Sequence, residues 1–207
     1  CRYALSTIQS IMNNTKEVIC FYLMIDNSLN SLDKKIISEV IKLKGHKCKF
    51  LNMDKEFKNL YTGAWSKAMY YPILLGDLCN DDKILFLDCD IIVNGDIAEL
   101  YNIDVKDYYS AAVHDFPMDC NIVMKRRMKM SLSKKKIPMS EYFRDVRGWN
   151  SEDIKRYFNS GMLLLNLKKI REDNCKEKCL KILEKENVAC PDQDCFNICF
   201  HNSVKII

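Results

Sequence analysis

Long apolar runs are missing from this chain of 207 residues. The longest, 18–25 and 161–165, have strand length, whereas a membrane-crossing helix needs about 20 such residues. No basic-then-apolar leader opens the sequence. The chain starts inside a helical pattern, so a natural N-terminus upstream is expected. Glycine and proline are scarce, with six Gly and four Pro. No linker, repeat or low-complexity stretch divides the chain, and one α/β domain, itself incomplete, is expected over residues 1–207. Net charge is only +4, too little for a nucleic-acid binder by itself. No CxxC knuckle is present, which removes the usual zinc-finger arrangement.

What the chain does contain is a globular profile, 48% apolar and 29% charged. Its eleven cysteines include Cys175 with Cys179 and Cys195 with Cys199. Each spacing of four sets a pair on one helix face. Reduced thiols used as small core residues, in a reducing compartment, are the expectation. One local charge cluster stands out. Residues 125–136 hold seven Lys or Arg and no acid. Such a run is either a solvated loop or a face turned to phosphates or to an anionic membrane.

Strand-like apolar runs alternate with helical patterns, which indicates a mainly parallel, mixed sheet with helices on both faces. Helices are expected over 2–13, 32–44, 66–78 (interrupted by Pro72), 167–187 and 192–200. Strands are expected over 18–25, 49–53, 83–87, 108–113 and 161–166, with a short extended piece at 91–93. Asp96 is expected to cap a short helix that ends at Tyr101, and Asp192 to cap the last helix. Residues 116–156 read as irregular and polar, with short helices expected among them.

The most informative segment is Leu85-Phe86-Leu87-Asp88-Cys89-Asp90. A buried strand ends in two carboxylates at alternate positions. Ligands of open α/β sheets bind beyond the carboxyl ends of strands. Two carboxylates this close repel unless a cation joins them, and hard oxygen donors suit Mn²⁺ or Mg²⁺. Asp-x-Asp alone fits a solvated strand end equally well. It also opens phosphohydrolases of the haloacid-dehalogenase type, where the first Asp is the nucleophile. Those continue with a small pair, whereas Ile91-Ile92 follows here.

The run 83–101, with Leu87-Asp88-Cys89-Asp90, Gly95-Asp96 and Leu100-Tyr101, resembles the signature block of glycosyltransferase family 8. Phe158-Asn159-Ser160-Gly161 and Asp192-Gln193-Asp194 resemble two further family blocks, in the same order. The bacterial lipopolysaccharide galactosyl- and glucosyltransferases are the nearest type, and glycogenin is a more distant relative. The resemblance implies a GT-A-like fold and retaining transfer of a hexose from a nucleotide sugar, UDP-galactose or UDP-glucose, to a saccharide or glycolipid acceptor in cell-surface polysaccharide synthesis. It implies Mn²⁺, with Mg²⁺ as the alternative, on Asp88 and Asp90. The nucleotide is then held around Asp88, Cys89 and Asp90, and the donor sugar at Asn159, Gly161, Asp192 and Gln193. Asp115 is placed near the acceptor. Gln193, an amide and hence a poor nucleophile, stands near the anomeric carbon, which favours a front-face mechanism.

Lys67 is the expected substitute for a family Arg whose place is taken by Pro72. The family's opening nucleotide-binding strand and its late His-containing segment are not in this sequence, so a non-catalytic sugar-nucleotide-binding domain is the alternative. A cytoplasmic location, with peripheral contact at the inner face of the membrane, completes the expectation.

Overall fold

The computed structural model describes residues 2–54, 56–57, 60, 62 and 66–207; Cys1 lies outside them. The chain forms two compact units. One comprises residues 1–56 and 87–104, the other 57–86 and 105–207.

The first unit opens with α1 (Arg2–Asn14), whose apolar face buries Ile8, Ile11 and Met12. Next come β1 (Cys20–Ile25), α2 (Ser31–Leu43) and β2 (Lys47–Asn52). The two strands pair in parallel, from Cys20 opposite Lys47 to Ile25 opposite Asn52. Parallel neighbours need a crossover, and α2 supplies it. Asn30 caps α2 by accepting from the Asp33 N–H at 2.8 Å. Gly45 ends it at φ +82°, a left-handed conformation that glycine adopts without steric cost. Only Ile37 and Ile41 of its apolar stripe are fully buried. Asp96 caps α4 (Ile97–Tyr101) through the Ala98 N–H at 3.0 Å. Residues 91–93 form no strand.

The second unit is built on a four-stranded sheet. Its members are β3 (Lys83–Leu87, whose last residue falls in the first unit), β4 (Ser110–His114), β7 (Phe158–Asn166) and β8 (Val204–Ile206). Their order is β3-β7-β4-β8. The pair β4–β7 is antiparallel and β4–β8 parallel, so the sheet is mixed as expected. The inner strands bury Ala111, Ala112, Leu163 and Leu164 completely. The β4–β7 register shifts between Ala112 and His114, and pairing resumes with His114 opposite Phe158, just before Asp115.

Pro72 lies in a 3₁₀ helix, Lys67–Leu74, that leads into α3 (Leu75–Leu78). Proline has no N–H to close a helical bond, so a regular α-helix is interrupted there. The single helix expected over 167–187 is two, α8 (Leu167–Glu172) and α9 (Cys175–Lys185). Asn174 breaks it at φ 50°, a left-handed position that Asn tolerates better than most residues.

The polar stretch 116–156 holds the short helices expected of it and, beyond that expectation, a strand ribbon. It contains α5 (Phe116–Val123), a two-stranded ribbon of β5 (Arg127–Lys129) and β6 (Lys136–Pro138), α6 (Met139–Glu141), a π-helical turn (Tyr142–Val146) and α7 (Ser151–Lys155). Met118, Met130, Met139, Tyr142, Phe143 and Tyr157 gather there into a core of their own. The last helix, α10 (Pro191–Cys199), starts with Pro191 in the first turn, where a missing N–H costs nothing. Among the described residues no helix is long and apolar enough to cross a membrane.

Candidate functional site

In the first unit the acidic turn follows β3 directly. Asp88, Cys89 and Asp90 are all exposed, and Cys89-Asp90 forms the turn itself. The turn is held from one side by a polar row on α1. Thr7 Oγ1 donates to the Cys89 carbonyl at 2.8 Å. Ser10 Oγ accepts from the Val93 N–H at 3.0 Å, and Asn14 Nδ2 donates to the Val93 carbonyl at 2.8 Å. Positions 7, 10 and 14 share one helix face. Sequence reasoning missed this row. Its one signal was three small polar side chains at helical spacing on a helix whose other face is apolar.

In the second unit three separate segments meet. β4 delivers Asp115 as its first residue past the strand, β7 begins with Phe158-Asn159-Ser160-Gly161, and α10 begins with Pro191-Asp192-Gln193. Asp115, Ser160 and Gln193 are buried, at 5%, 9% and 8% exposure. Gln193 Nε2 donates to Asp115 Oδ2 at 2.7 Å, and Asn159 Nδ2 reaches the same oxygen at 3.3 Å. Asp115 Oδ1 caps α5 through the Met118 N–H at 2.7 Å. Gln193 Oε1 accepts the Ser160 N–H at 3.1 Å. Ser160 Oγ donates to Asp192 Oδ2 at 3.0 Å, and Asn159 Oδ1 accepts the Gly161 N–H at 2.8 Å.

Five of the residues singled out in the sequence thus form one network: Asp115, Asn159, Gly161, Asp192 and Gln193. Lys67 stands half-buried at the first position of the 3₁₀ helix. One expected role needs correction. The residue in the cap position of α10 is Cys190, which makes no side-chain cap bond, and Asp192 sits one residue beyond Pro191. Asp192 is therefore not the cap residue, although its carboxylate accepts first-turn N–H groups, those of Gln193 and of Asp192 itself. Burial raises its carboxyl above the usual range, and the Ser160 hydroxyl pulls it back in part.

A second layer braces this network. Asn197 accepts the Phe158 N–H at 2.9 Å and donates to the Phe158 carbonyl at 2.8 Å, which ties α10 to the start of β7. Asp194, 1% exposed, accepts from the Tyr157 and Tyr142 hydroxyls at 2.6 and 2.8 Å and from the Ala189 and Cys190 N–H groups. Burial pushes both phenols well up, so they stay donors. The same burial raises Asp194, against the pull of its four donors. His114, just before Asp115, pairs through Nε2 with Asp119 at 2.7 Å.

The profile of glycosyl transferase family 8 matches residues 1–207. The chain belongs to glycosyltransferase family 8. Family membership removes the phosphohydrolase alternative. A Haemophilus influenzae protein whose name places it among glycosyltransferases is 31% identical over 99% of this chain and 57% of its own length. The lipopolysaccharide 1,2-glucosyltransferase of Escherichia coli K12 is 32% identical over 72% of this chain and 39% of its own.

Among solved structures, the bifunctional glycosyltransferase WbbM superposes with a TM-score of 0.82 at 20% identity, over all of this chain and 37% of WbbM. LgtC, a galactosyltransferase also solved with donor and acceptor sugar analogues, gives 0.78 at 21%, over 99% of this chain and 68% of LgtC. The family 8 chain therefore has the GT-A fold. It spans about half the length of the curated relatives it matches.

Proposed function

We propose that this family 8 chain is the core of a retaining hexosyltransferase that moves a hexose from a UDP-sugar to a saccharide or glycolipid acceptor on the cytoplasmic side. The observation that carries the reading is the network of Asp115, Asn159, Ser160, Asp192 and Gln193. It draws two family blocks and Asp115 into one polar cluster just past the end of β4. Such a cluster is suited to sugar hydroxyls, which need donors and acceptors fixed in advance.

Both ends of the Gln193 amide are engaged, Nε2 by Asp115 and Oε1 by the Ser160 N–H. An amide oxygen held this way is poorly placed to attack carbon, which favours a front-face reaction without a protein-bound sugar. Gln193 and Asn159 then act by orienting the ring, and Asp115 by fixing both amides. Asp192, half-buried next to Ser160, is the available acceptor for a donor-sugar hydroxyl.

Asp88 and Asp90 fit a hard divalent cation, Mn²⁺ or Mg²⁺. They are exposed carboxylates on an anchored turn at a strand end. Among the described residues no group of three His, Cys, Asp or Glu could hold a metal alone. A hard ion held by two carboxylates takes its remaining positions from phosphate oxygens and water. Bound there, the ion would neutralise charge on the departing diphosphate.

The test is release of UDP from a panel of UDP-hexoses by the full-length protein, with and without Mn²⁺. Release from one sugar, stimulated by metal and abolished in Asp88→Ala/Asp90→Ala, is the expected result. Metal-independent release, or none from any donor, overturns the reading.

A further inference from the structure

We infer that the β5–β6 ribbon, with the C-terminal end of α5, is a docking surface for an anionic lipid bilayer. From Cys120 to Ser140 the chain has seven Lys or Arg and no Asp or Glu. The fold sorts this segment by face. Met128 pairs with Ile137 across the ribbon, and both lean on the core of Met118, Met130, Met139, Tyr142, Phe143 and Tyr157. Alternation then turns Arg127, Lys129 and Lys136 outward, and all three are exposed. Lys129 and Lys136 stand directly opposite each other. Like charges at such a pair destabilise a ribbon, and an anionic surface relieves them. Lys125 and Lys134 hold left-handed conformations, φ 52° and 58°, at the two turns that flank β5.

The apolar side chains choose the occupant. Val123 is 81% exposed, Met124 64% and Leu132 45%, all among the cations. A bilayer interface takes both features at once, since apolar side chains enter the headgroup layer while lysines meet lipid phosphates. A nucleic-acid surface for single strands would add stacking aromatics, and residues 117–141 contain none. The ribbon's inner face rests on Tyr142 and Tyr157, which bond Asp194 one residue from Gln193. Docking through the outer face would hold the sugar-binding network next to a lipid-linked acceptor.

Co-sedimentation of the full chain with phosphatidylcholine vesicles, with and without phosphatidylglycerol, tests this. Binding to phosphatidylglycerol vesicles alone, weakened by salt, is expected. Arg127→Glu/Lys129→Glu/Lys136→Glu should lower partition by roughly 100-fold, at about fivefold or more per cation lost. Val123→Ser/Met124→Ser should weaken it further at high salt. Lys125→Glu/Lys135→Glu, outside the paired strands, serves should the triple variant fail to fold. Binding unchanged in a folded variant of either charge set overturns the proposal. So does equal partition on both vesicles, or tighter binding to polyuridylate that is indifferent to the serine substitutions. UDP release in solution is a separate readout, because none of these side chains belongs to the sugar-binding network.

Discussion

Gln193 spans two strands' worth of polar groups from a single side chain. Its Nε2 donates to Asp115 past the end of β4 at 2.7 Å, while its Oε1 takes the Ser160 N–H at the start of β7 at 3.1 Å. Replacing it disturbs structure and chemistry together. Gln193→Ala leaves a buried N–H unpaired and should cost about 1–3 kcal/mol, read by urea denaturation. Gln193→Glu sets a carboxyl against the Asp115 carboxylate, so its folded-state pKa rises. The variant should match wild type below about pH 4. Above that it should lose up to about 1.4 kcal/mol of stability per pH unit, until the folded carboxyl ionises. Transfer should fall about 10²-fold or more in both variants. A flat pH profile for Gln193→Glu would remove the Asp115 contact.

Asp192→Asn separates the sugar role from a structural one. Burial raises the Asp192 carboxyl, so wild type loses stability as pH climbs from about 4, the ordinary Asp value, through the raised one. Asparagine removes that loss. The Ser160 hydroxyl and the Gln193 and Asp192 N–H groups oppose that rise without cancelling it, and an Asn side-chain oxygen can accept from the same donors. The variant should melt no lower than wild type at pH 7, and relatively higher at pH 7 than at pH 4. Its transfer rate should nevertheless fall about 10²-fold. Undiminished transfer would exclude Asp192 from the site.

The α1 row calls for a different measurement. Thr7→Val keeps side-chain shape and deletes the bond to Cys89, and Ser10→Ala deletes the one to Val93. At about 0.5–1.5 kcal/mol per hydrogen bond, the double variant should speed amide exchange at Val93 roughly 10-fold or more. Metal-dependent nucleotide binding should weaken with it, because the turn that carries Asp88 and Asp90 loses its anchor. Unchanged exchange at Val93 would mean that the row does not hold the turn.

The cysteines should divide into two classes under native thiol labelling. All ten described cysteines are free, and Cys20 and Cys89 are exposed. Cys175, Cys179 and Cys195 are at most 1% exposed. Cys195 Sγ lies 3.4 Å from the Cys179 carbonyl, and Cys199 Sγ 3.7 Å from that of Cys175. The Cys199 contact and burial raise Cys175, the Cys195 contact and burial raise Cys179, and burial raises Cys195. These three should react at least roughly 10²-fold more slowly than Cys20 and Cys89, with the gap closing in denaturant. Stoichiometric zinc in the purified protein would contradict the expectation of plain thiols.

Local signals were legible in proportion to their length. The strand before Asp88, the Gly45 stop and the Asp96 cap all follow from a few adjacent residues, and each is found where expected. The contacts of Asp115 with Gln193 join positions 78 residues apart, and only the family resemblance, which placed both near the substrates, connected them. Spacing was silent on the break at Asn174, since 167–187 carries an unbroken helical pattern and one left-handed residue suffices to divide it. The ribbon at 127–138 was hidden because each strand has only three residues, too few for an alternating pattern to stand out from a basic loop. Asp192 was misplaced as a cap because Pro191, which can occupy the first turn, moved the helix start forward.

The row on α1 also sets an order of events during synthesis. Thr7 must wait for Cys89, 82 residues later. At about 5–20 residues per second the wait is on the order of ten seconds. A thirteen-residue helix is marginal alone in water, and the polar row of α1 lacks its partner until then. The nascent chain therefore presents a half-formed α1 to the cell for longer than most hairpins or helices take to form.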